Sequence, residues 1–284
     1  MNLKSYLKKA QKEHWAIGQF NFSTLDQLKG ILSAAKELKS PVILGTSEGE
    51  SGFLGLEEIV ALTEISKAKY KVDAFLNLDH GKNLDLLKKA VDLGYSAVHF
   101  DGSGMPLEEN IRKARKIAEY AHKRGALAEG ELGAVKGESV FHNERAVIEE
   151  KDLTLPEDVI RFLKETKVDS LAVAIGNIHG VYKGGKNIDL ERLKEIALKC
   201  KGFLVLHGGS DIKESDIKQA VNLGIVKINI NTELRIIWKE SLINALKTGD
   251  FKPYKILPQV QDSIQKKVEE KINLFGSTGR KLSK

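Results

Sequence analysis

The chain has 284 residues, of which 42% are hydrophobic and 30% are charged, so it can bury a core and is not a disordered protein. Its formal net charge is +6, but the lysines are scattered along helical segments rather than clustered, which argues against a nucleic-acid partner. Because barrel folds commonly hold this many residues in one unit, we expect a single domain spanning residues 1–284.

Strand-like runs and helical periods alternate along the chain, after an amphipathic N-terminal helix over residues 1–12. The predicted strands are Trp15–Phe22, Pro41–Thr46, Ala74–Leu78, Ala97–Phe100, Ala126–Leu132, Leu171–Ile175, Phe203–Leu206 and Val226–Ile230. The helices that follow them are predicted at Leu25–Leu38, Leu56–Tyr70, Leu84–Leu93, Leu107–Arg124, Glu157–Lys164, Leu190–Lys199, Ile212–Leu223 and Leu234–Leu246. Eight such units predict an α/β fold of the TIM-barrel type with additional helices at both ends, whereas a doubly wound sheet fits six units better.

Cysteine content and hydropathy limit the compartment. Cys200 is the single cysteine, so the chain has no internal disulfide and shows no sign of export. The N-terminal segment lacks the apolar stretch of a signal peptide, and no segment approaches the length of a membrane span. We therefore expect a cytoplasmic protein with no membrane partner.

Polar residues end most of the predicted strands, and in TIM barrels the carboxyl ends of the strands form the active site. These residues are Asn21, Ser47, Asp79 with His80, Asp101, Glu131, His179, His207 and Asn229. Random placement would not bring all of them to one mouth of the barrel. The loop Gly133–Lys151, the longest connection after a strand, is the best candidate for a mobile lid.

Three of the histidines share one pattern. His80, His179 and His207 each close an apolar run and are each followed by glycine. Three imidazoles from separate strands are what a catalytic zinc site with an open coordination position needs. Asp79 precedes His80, and an extended strand would aim the two side chains to opposite sides, so we expect the strand to bend at Gly81.

The other acidic and imidazole groups have weaker assignments. Asp101 and Glu131 end neighbouring strands and could bind a second cation, divalent or monovalent, or orient the zinc ligands. His99 is expected to be a satisfied interior residue. Packed or surface positions are expected for the histidines that lack the glycine pattern: His14, His122 and His142.

Two segments after the last strands are suited to phosphate. His207-Gly-Gly-Ser210 and Asn229-Ile-Asn-Thr232 each lead into a predicted helix, where backbone amides and hydroxyls bind anions. The alternative is that Ser210, Asp211 and Thr232 only cap helices.

The ordered motifs resemble the class II, metal-dependent ketose-bisphosphate aldolases from about Ile17 to Arg280. The motifs are Gly18-Gln-Phe-Asn-Phe-Ser23, Leu78-Asp-His-Gly81, Phe100-Asp-Gly-Ser103, Glu129-Gly-Glu-Leu-Gly133, Ala172-Val-Ala-Ile-Gly176 before His179-Gly180, Leu206-His-Gly-Gly-Ser210 and Lys227-Ile-Asn229. The resemblance implies that His80, His179 and His207 hold zinc, that Asp101 and Glu131 match a second metal position, and that Asp79 handles the proton on the hydroxyl of the cleaved carbon. It implies a dihydroxyacetone phosphate site at Gly180, Gly208, Gly209, Ser210, Asn229, Ile230, Asn231 and Thr232, and we add Asn21 and Ser47 at the mouth as substrate-binding candidates.

The chain departs from the usual family pattern in several places. Asn77 stands where histidine is common, Asn177-Ile178 replace small hydroxyl residues, and Asp211 replaces a glycine. The lid has Ser139 where the family has a glutamate that moves a proton at the donor ketone, so Glu138 is our candidate base. Tyr254 stands in place of an arginine that reaches across a dimer to the distal phosphate, and Lys252 and Lys255 are possible substitutes.

The leading hypothesis is therefore a zinc aldolase, a lyase that acts on a phosphorylated sugar, as a homodimer or homotetramer. Fructose 1,6-bisphosphate is the first candidate substrate, and tagatose bisphosphate, which differs at one stereocentre, stays open. Two alternatives remain: a metal hydrolase on the same barrel, and a non-catalytic phosphosugar-binding relative. Intact Asp79 argues against the second of these, and Ser139 argues mildly for it.

Overall fold

The structure is a computed structural model that describes residues 2–144 and 147–282. Eight parallel strands close into a barrel in the order β1-β10-β9-β7-β5-β4-β3-β2, which confirms the predicted TIM barrel. The strands of the barrel are β1 (Ile17–Asn21), β2 (Val42–Ser47), β3 (Ala74–Gly81), β4 (Ala97–Phe100), β5 (Leu127–Leu132), β7 (Ser170–Val173), β9 (Phe203–Leu206) and β10 (Ile225–Ile230). Two further strands, β6 (Phe141–His142) and β8 (Val181–Tyr182), pair with each other outside the barrel.

Helices surround the barrel and extend beyond it at both chain ends, as expected. They are α1 (Leu3–Glu13), α2 (Leu25–Glu37), α3 (Glu48–Leu54), α4 (Leu56–Tyr70), α5 (Leu84–Asp92), α6 (Leu107–His122), α7 (Pro156–Thr166), α8 (Leu190–Lys199), α9 (Glu214–Asn222), α10 (Thr232–Leu246) and α11 (Pro253–Leu274). The short helix α3 was not predicted; Ser47 and Glu50 form its capping box. Within residues 2–144 and 147–282, no helix combines the length and apolar character needed to cross a membrane.

The start of helix α9 differs from the prediction. The sequence predicted a helix from Ile212, but α9 begins at Glu214 with Lys213 as its N-cap. Asp211 adopts a left-handed backbone with φ of 64°, which interrupts any helix at that point. Ser210 and Asp211 therefore do not cap α9, but the Ser210 hydroxyl accepts a hydrogen bond at 3.4 Å from the Glu233 amide in the first turn of α10, so the helix-cap alternative stays open for Ser210.

Helix α1 closes the amino-terminal end of the barrel. Its buried residues Leu3, Tyr6 and Leu7 pack in one apolar cluster with residues from the starts of the strands, among them Phe75 and Phe203. The Tyr6 hydroxyl also donates a hydrogen bond to Asp73, 2.7 Å away. Because this end is filled with apolar side chains, polar chemistry is confined to the carboxyl end.

The side chains inside the barrel change from apolar at the amino-terminal ends of the strands, the floor of the barrel, to polar at the carboxyl-terminal ends. Along β3, Phe75 belongs to the apolar floor cluster, and Asn77 and Asp79 follow at two-residue intervals, which places all three on one strand face. The same spacing on β5 gives Leu127, Glu129 and Glu131. The barrel interior is thus apolar at its base and increasingly charged toward the carboxyl ends of the strands.

The predicted lid, Gly133–Lys151, lies against the loop that follows β7. The His179 amide donates to the Lys136 carbonyl at 2.7 Å, and β6 pairs in parallel with β8. The Ala134 amide donates to the Asp152 carbonyl at 2.7 Å. The lid backbone therefore contacts the segment that carries one predicted metal ligand; its residues 145 and 146 lie outside the described residues.

Candidate active site

A cavity of about 420 Å³ opens at the carboxyl end of the barrel. Ten of the predicted site residues line it: Ser47, Asp79, His80, Asp101, His179, Gly208, Ser210, Asn229, Asn231 and Thr232. The remaining lining residues are Glu48, Gly49, Lys82, Val135, Gly137, Ser139 and Arg235. The structure thus brings together residues from across the sequence at the place where a TIM barrel carries its active site.

The bend in β3 occurs at His80 itself, so the expectation that it lies at Gly81 is wrong. His80 has a left-handed backbone with φ of 50°, and the register between β3 and β4 shifts between Leu78 and Gly81. The His80 amide donates to His99 Nδ1 at 3.1 Å, which holds the bend. A left-handed non-glycine residue is strained, and such strain occurs where function over-determines the backbone.

Glycine at position 81 has a packing role instead. A Cβ atom there would lie 2.5 Å from Leu87 Cδ2 and 2.8 Å from Leu78 Cδ2. The motif Asp79-His80-Gly81 therefore combines a strained histidine with a glycine that permits close packing of α5.

His80 and His207 face each other with two ring nitrogens. His80 Nε2 lies 2.8 Å from His207 Nδ1. On the opposite sides of the rings, His80 Nδ1 is 3.2 Å from Asp101 and His207 Nε2 is 2.9 Å from Glu129. Because carboxylates accept hydrogen bonds, these outer nitrogens carry protons. The two facing nitrogens are at hydrogen-bond distance, so they share one proton unless a metal ion displaces it and meets a lone pair on each ring.

Two lone pairs this close repel each other unless a cation lies between or beside them. Burial alone would lower the pKa of His80, but Asp79, Asp101 and Glu131 outweigh it and raise that pKa to about 9. Burial and the charge of His80 lower the pKa of His207. The pair is thus arranged to hold one positive charge, and the donor set fits a divalent metal.

The other two imidazoles near this pair differ from each other. His99 is fully buried, as expected, but its Nε2 atom has no hydrogen-bond partner, so it is not the satisfied residue that the sequence predicted. It joins Asp79, His80 and His207 in a group whose possible ligand atoms lie within 4.8 Å of one another. His179 lies outside that group, although its ring centroid is 4.7 Å from that of His80 and 6.3 Å from that of His207. Burial, together with the charges of His80 and His207, holds the pKa of His179 well below its usual range, so its ring is neutral as a ligand requires.

A second group of possible ligands consists of His80, Asp101 and Glu131. Glu131 Oε2 is buried without a hydrogen-bond partner and lies 3.4 Å from His99 Nε2, which is also unpartnered. An orphaned carboxylate oxygen is costly unless a cation or proton compensates it. The residues therefore fit the predicted second cation position.

Asp79 is held between two amide side chains. Its two oxygens accept hydrogen bonds from Asn229 at 3.0 Å and from Asn21 at 3.1 Å. Burial alone would raise the pKa of Asp79, but His80 and the other nearby cations outweigh this effect and hold that pKa well below its usual range. Asp79 is thus a carboxylate beside the imidazoles, and Asn21 acts by positioning it rather than by lining the cavity.

Sequence reasoning gave no role to the residues below this layer. Lys227 Nζ lies 2.7 Å and 2.9 Å from the two oxygens of Glu129, and Glu129 also bonds His207 and Ser170. Lys227, Glu129 and Gln19 are buried two residues before Asn229, Glu131 and Asn21. Strand alternation from each predicted mouth residue would have found all three.

The predicted phosphate segments are present with unequal roles. The Ser210 and Thr232 hydroxyl groups belong to cavity residues, and Thr232 begins α10. The Gly209 amide instead donates to the Asn229 carbonyl at 3.2 Å, and Ile230 is a core residue. Gly180 faces the lid, since a Cβ there would lie 2.7 Å from the Glu138 carbonyl oxygen.

Lid residues reach the cavity from one side of the loop. Val135, Gly137 and Ser139 line it, whereas the Glu138 side chain is exposed outside it. The structure does not bring the predicted base Glu138 to the imidazoles.

Two basic residues at the mouth were also missed by the sequence analysis. Lys82 and Arg235 line the cavity, and Arg235 Nη2 bonds Glu50 Oε1 at 2.7 Å. Glu50 in turn accepts from Asn21 at 3.0 Å, so this basic edge is linked to the positioning of Asp79. No motif marked these residues, because they belong to helix or loop positions that only the fold brings to the cavity.

Comparisons with known proteins agree with this geometry. Residues 1–280 match the family model described as fructose-bisphosphate aldolase class-II. A probable fructose-bisphosphate aldolase of Bacillus subtilis is 35% identical, with 99% of each chain covered. A sulfofructosephosphate aldolase of Alkalicoccus urumqiensis is 34% identical, covering 98% of this chain and 96% of the relative. The crystal structure of the YdjI aldolase from Escherichia coli K12 superimposes with a TM-score of 0.85 at 32% identity, covering 99% of both chains.

The facing ring nitrogens of His80 and His207 predict tight binding of about one divalent metal per chain. His207→Asn should lower the metal content of the purified protein, because the substitution removes one imidazole. His14→Asn is the matched control: His14 is exposed at the end of α1 and should be replaceable with no loss of metal. Elemental analysis measures the content, and circular dichroism checks that both variants fold. Unchanged metal in folded His207→Asn would overturn the assignment.

Proposed function

The chain belongs to the class II fructose-bisphosphate aldolase family, a family of lyases, and from that premise we propose that it reversibly cleaves a ketose 1,6-bisphosphate. Fructose 1,6-bisphosphate is the first candidate, and its products are dihydroxyacetone phosphate and glyceraldehyde 3-phosphate. The observation that carries this proposal is the ionised Asp79 beside the His80–His207 pair, in a cavity that Ser210 and Thr232 also line.

In this proposal Asp79 moves the proton on the acceptor side. The carboxylate takes the hydroxyl proton from C4, the C4 oxygen becomes an aldehyde carbonyl, and the C3–C4 bonding electrons pass to the donor half as an enediolate. The amides of Asn21 and Asn229 hold the carboxylate in place for this transfer. In the direction of synthesis, protonated Asp79 returns the proton to the new hydroxyl oxygen.

We assign the metal to His80, His207 and His179, and we propose zinc because three imidazoles with an open position are typical of catalytic zinc sites. When bound, the cation supplies a Lewis acid that stabilises the negative charge of the enediolate. The tautomers of His80 and His207 are held by Asp101 and Glu129, which aim the lone pairs inward. Asp101 and Glu131 are the candidates for a second divalent or monovalent cation.

The donor phosphate is proposed to bind at Gly208, Ser210, Asn231 and Thr232. Thr232 is the first residue of α10, whose 15 residues direct the positive end of the helix dipole toward the cavity. The hydroxyl groups of Ser210 and Thr232 add hydrogen-bond donors beside the backbone amides at the N-terminus of α10. Of the remaining residues implied by the family resemblance, Gly209 and Ile230 support the shape of this segment, and Gly180 supports the lid.

A second candidate substrate is a sulfofructose phosphate. One relative at 34% identity bears the name sulfofructosephosphate aldolase. Lys82 and Arg235 line the mouth of the cavity and supply two cations for an anionic group of the substrate. Such cations suit a phosphate or a sulfonate, so they support an anionic distal group without choosing between the two. Tyr254 is 71% exposed and absent from the cavity lining.

We also propose a cytoplasmic homodimer or homotetramer. Phe251 precedes α11 and is 95% exposed, Tyr254 in the first turn of α11 is 71% exposed, and Ile243 and Leu246 add apolar surface at the end of α10. Exposed apolar surface of this kind marks interfaces. The single Cys200 is consistent with a reducing compartment. Light scattering that finds a monomer at micromolar concentration would contradict the oligomer.

The reaction is tested by cleavage of fructose 1,6-bisphosphate, tagatose 1,6-bisphosphate and sulfofructose phosphate, with and without a chelator. We expect metal-dependent turnover of at least one, and Asp79→Ala should lower it at least ~100-fold while metal stays bound. Asp92→Ala, which removes an exposed carboxylate on α5, is the matched control and should retain full turnover. No cleavage of any of the three by metal-loaded protein would contradict the proposal.

The donor half-reaction also needs a base that removes the C3 proton of dihydroxyacetone phosphate. We propose Glu138, which must turn inward when the lid closes, since its side chain is now exposed. Glu138→Gln should slow hydrogen exchange at that carbon by about 10²-fold or more. Exchange at the normal rate in Glu138→Gln, with slowed exchange in Glu144→Gln or Glu149→Gln, would transfer the role.

A further inference from the structure

Lys186 is a buried cation that the chemistry described above does not use. Its side chain is 1% exposed, and its ammonium donates hydrogen bonds to the carbonyl oxygens of Ile178 at 2.7 Å, Gly208 at 3.2 Å and Ser210 at 2.6 Å. All three acceptors are main-chain carbonyls. Burial lowers the pKa of Lys186 to about 8, against the opposing charges of Asp211 and Glu233, so the ammonium remains charged at neutral pH.

The three carbonyls belong to the two loops that build the cavity. Ile178 directly precedes His179, while Gly208 directly follows His207 and Ser210 lines the cavity two residues later. The loops approach each other closely here, because a Cβ on Gly208 would lie 2.4 Å from the Ile178 carbonyl oxygen. Lys186 therefore links the loop of one predicted metal ligand to the predicted phosphate loop.

Converging carbonyl oxygens repel one another unless a cation is present. Rings of backbone carbonyls are how proteins replace the hydration shell of an alkali cation. Here the cation is covalently tethered, which removes the entropic cost of capturing a free ion and makes its position independent of salt.

We propose that Lys186 is a positioning residue that acts as a built-in monovalent cation, fixing the Gly208–Ser210 loop for phosphate binding. Without the ammonium, the same carbonyls would form a site for a free potassium or ammonium ion. The link to phosphate binding rests on the proposed function, whereas the cation site itself does not.

The test compares two substitutions that remove the charge but leave different space. Lys186→Ala opens room for an ion, and Lys186→Met fills the position with a neutral chain of similar length. Full-length proteins, loaded with metal, are compared in tetramethylammonium, potassium and ammonium chloride at equal ionic strength. The two readouts are the thermal midpoint and the dissociation constant for inorganic phosphate.

In tetramethylammonium chloride, both variants should bind phosphate about tenfold more weakly or worse, because buried carbonyls lose their donor. Potassium or ammonium should restore the midpoint and the phosphate affinity of Lys186→Ala but not of Lys186→Met. The unsubstituted protein should respond equally to all three salts.

Three results would overturn the inference. The first is an equal rise of the thermal midpoint in ammonium for the two variants. The second is a Lys186→Ala midpoint that does not depend on the choice of cation. The third is a higher midpoint or tighter phosphate binding of the unsubstituted protein in potassium than in the other salts. The last result applies even if neither variant folds. If phosphate fails to bind the unsubstituted protein, the phosphate site fails, while the midpoints still decide whether the carbonyls form a cation site.

Discussion

The ion pair between Lys227 and Glu129 inside the barrel is the interaction on which the site depends. Both side chains are buried, and removing one partner of such a pair costs about 3–5 kcal/mol. The pair joins β10 to β5 across the barrel interior, so only a closed barrel can form it. Lys227 keeps Glu129 ionised, since burial alone would raise the pKa of that carboxyl, and the ionised carboxylate fixes the proton of His207 on its outer nitrogen.

A chain of hydrogen-bonded polar side chains leads from this ion pair to the cavity. His207 turns a lone pair toward His80, the bend at His80 brings Asp79 into the same cavity, and two asparagines hold Asp79. Each step compensates a buried polar group with a neighbour, which keeps the cost of burial low. Among the buried atoms left without partners is Glu131 Oε2, which lies where a second cation would compensate it. A hydrogen-bonded layer that is rigid below the cavity, with unsatisfied polar groups at the cavity itself, is the arrangement expected of a preorganised ligand site.

Much of this arrangement was predictable from local patterns. Strand and helix positions follow from periodicity, and His80, Asp79 and Asp101 were placed at the mouth because they end strands. Glu129 and Lys227 were not given roles, although the two-residue alternation points to them. Lys186, Lys82 and Arg235 have no such signal, since their roles come from loops and helices that meet only after the barrel closes. Glu138 was chosen from sequence as the nearest lid carboxylate, but side-chain direction depends on how the loop lies against β8.

The sequence by itself determined the barrel, the family and most of the polar residues at the carboxyl ends of its strands, because strand periodicity and motif order are local properties of the chain. Only the tertiary structure decided which atoms face each other. It placed the bend at His80 rather than at Gly81, used the Gly209 amide for the Asn229 carbonyl, and brought three carbonyls from two loops onto Lys186. The physical reason is that hydrogen-bond partners and tautomers depend on distances of a few ångströms between segments far apart in sequence, which no local pattern records.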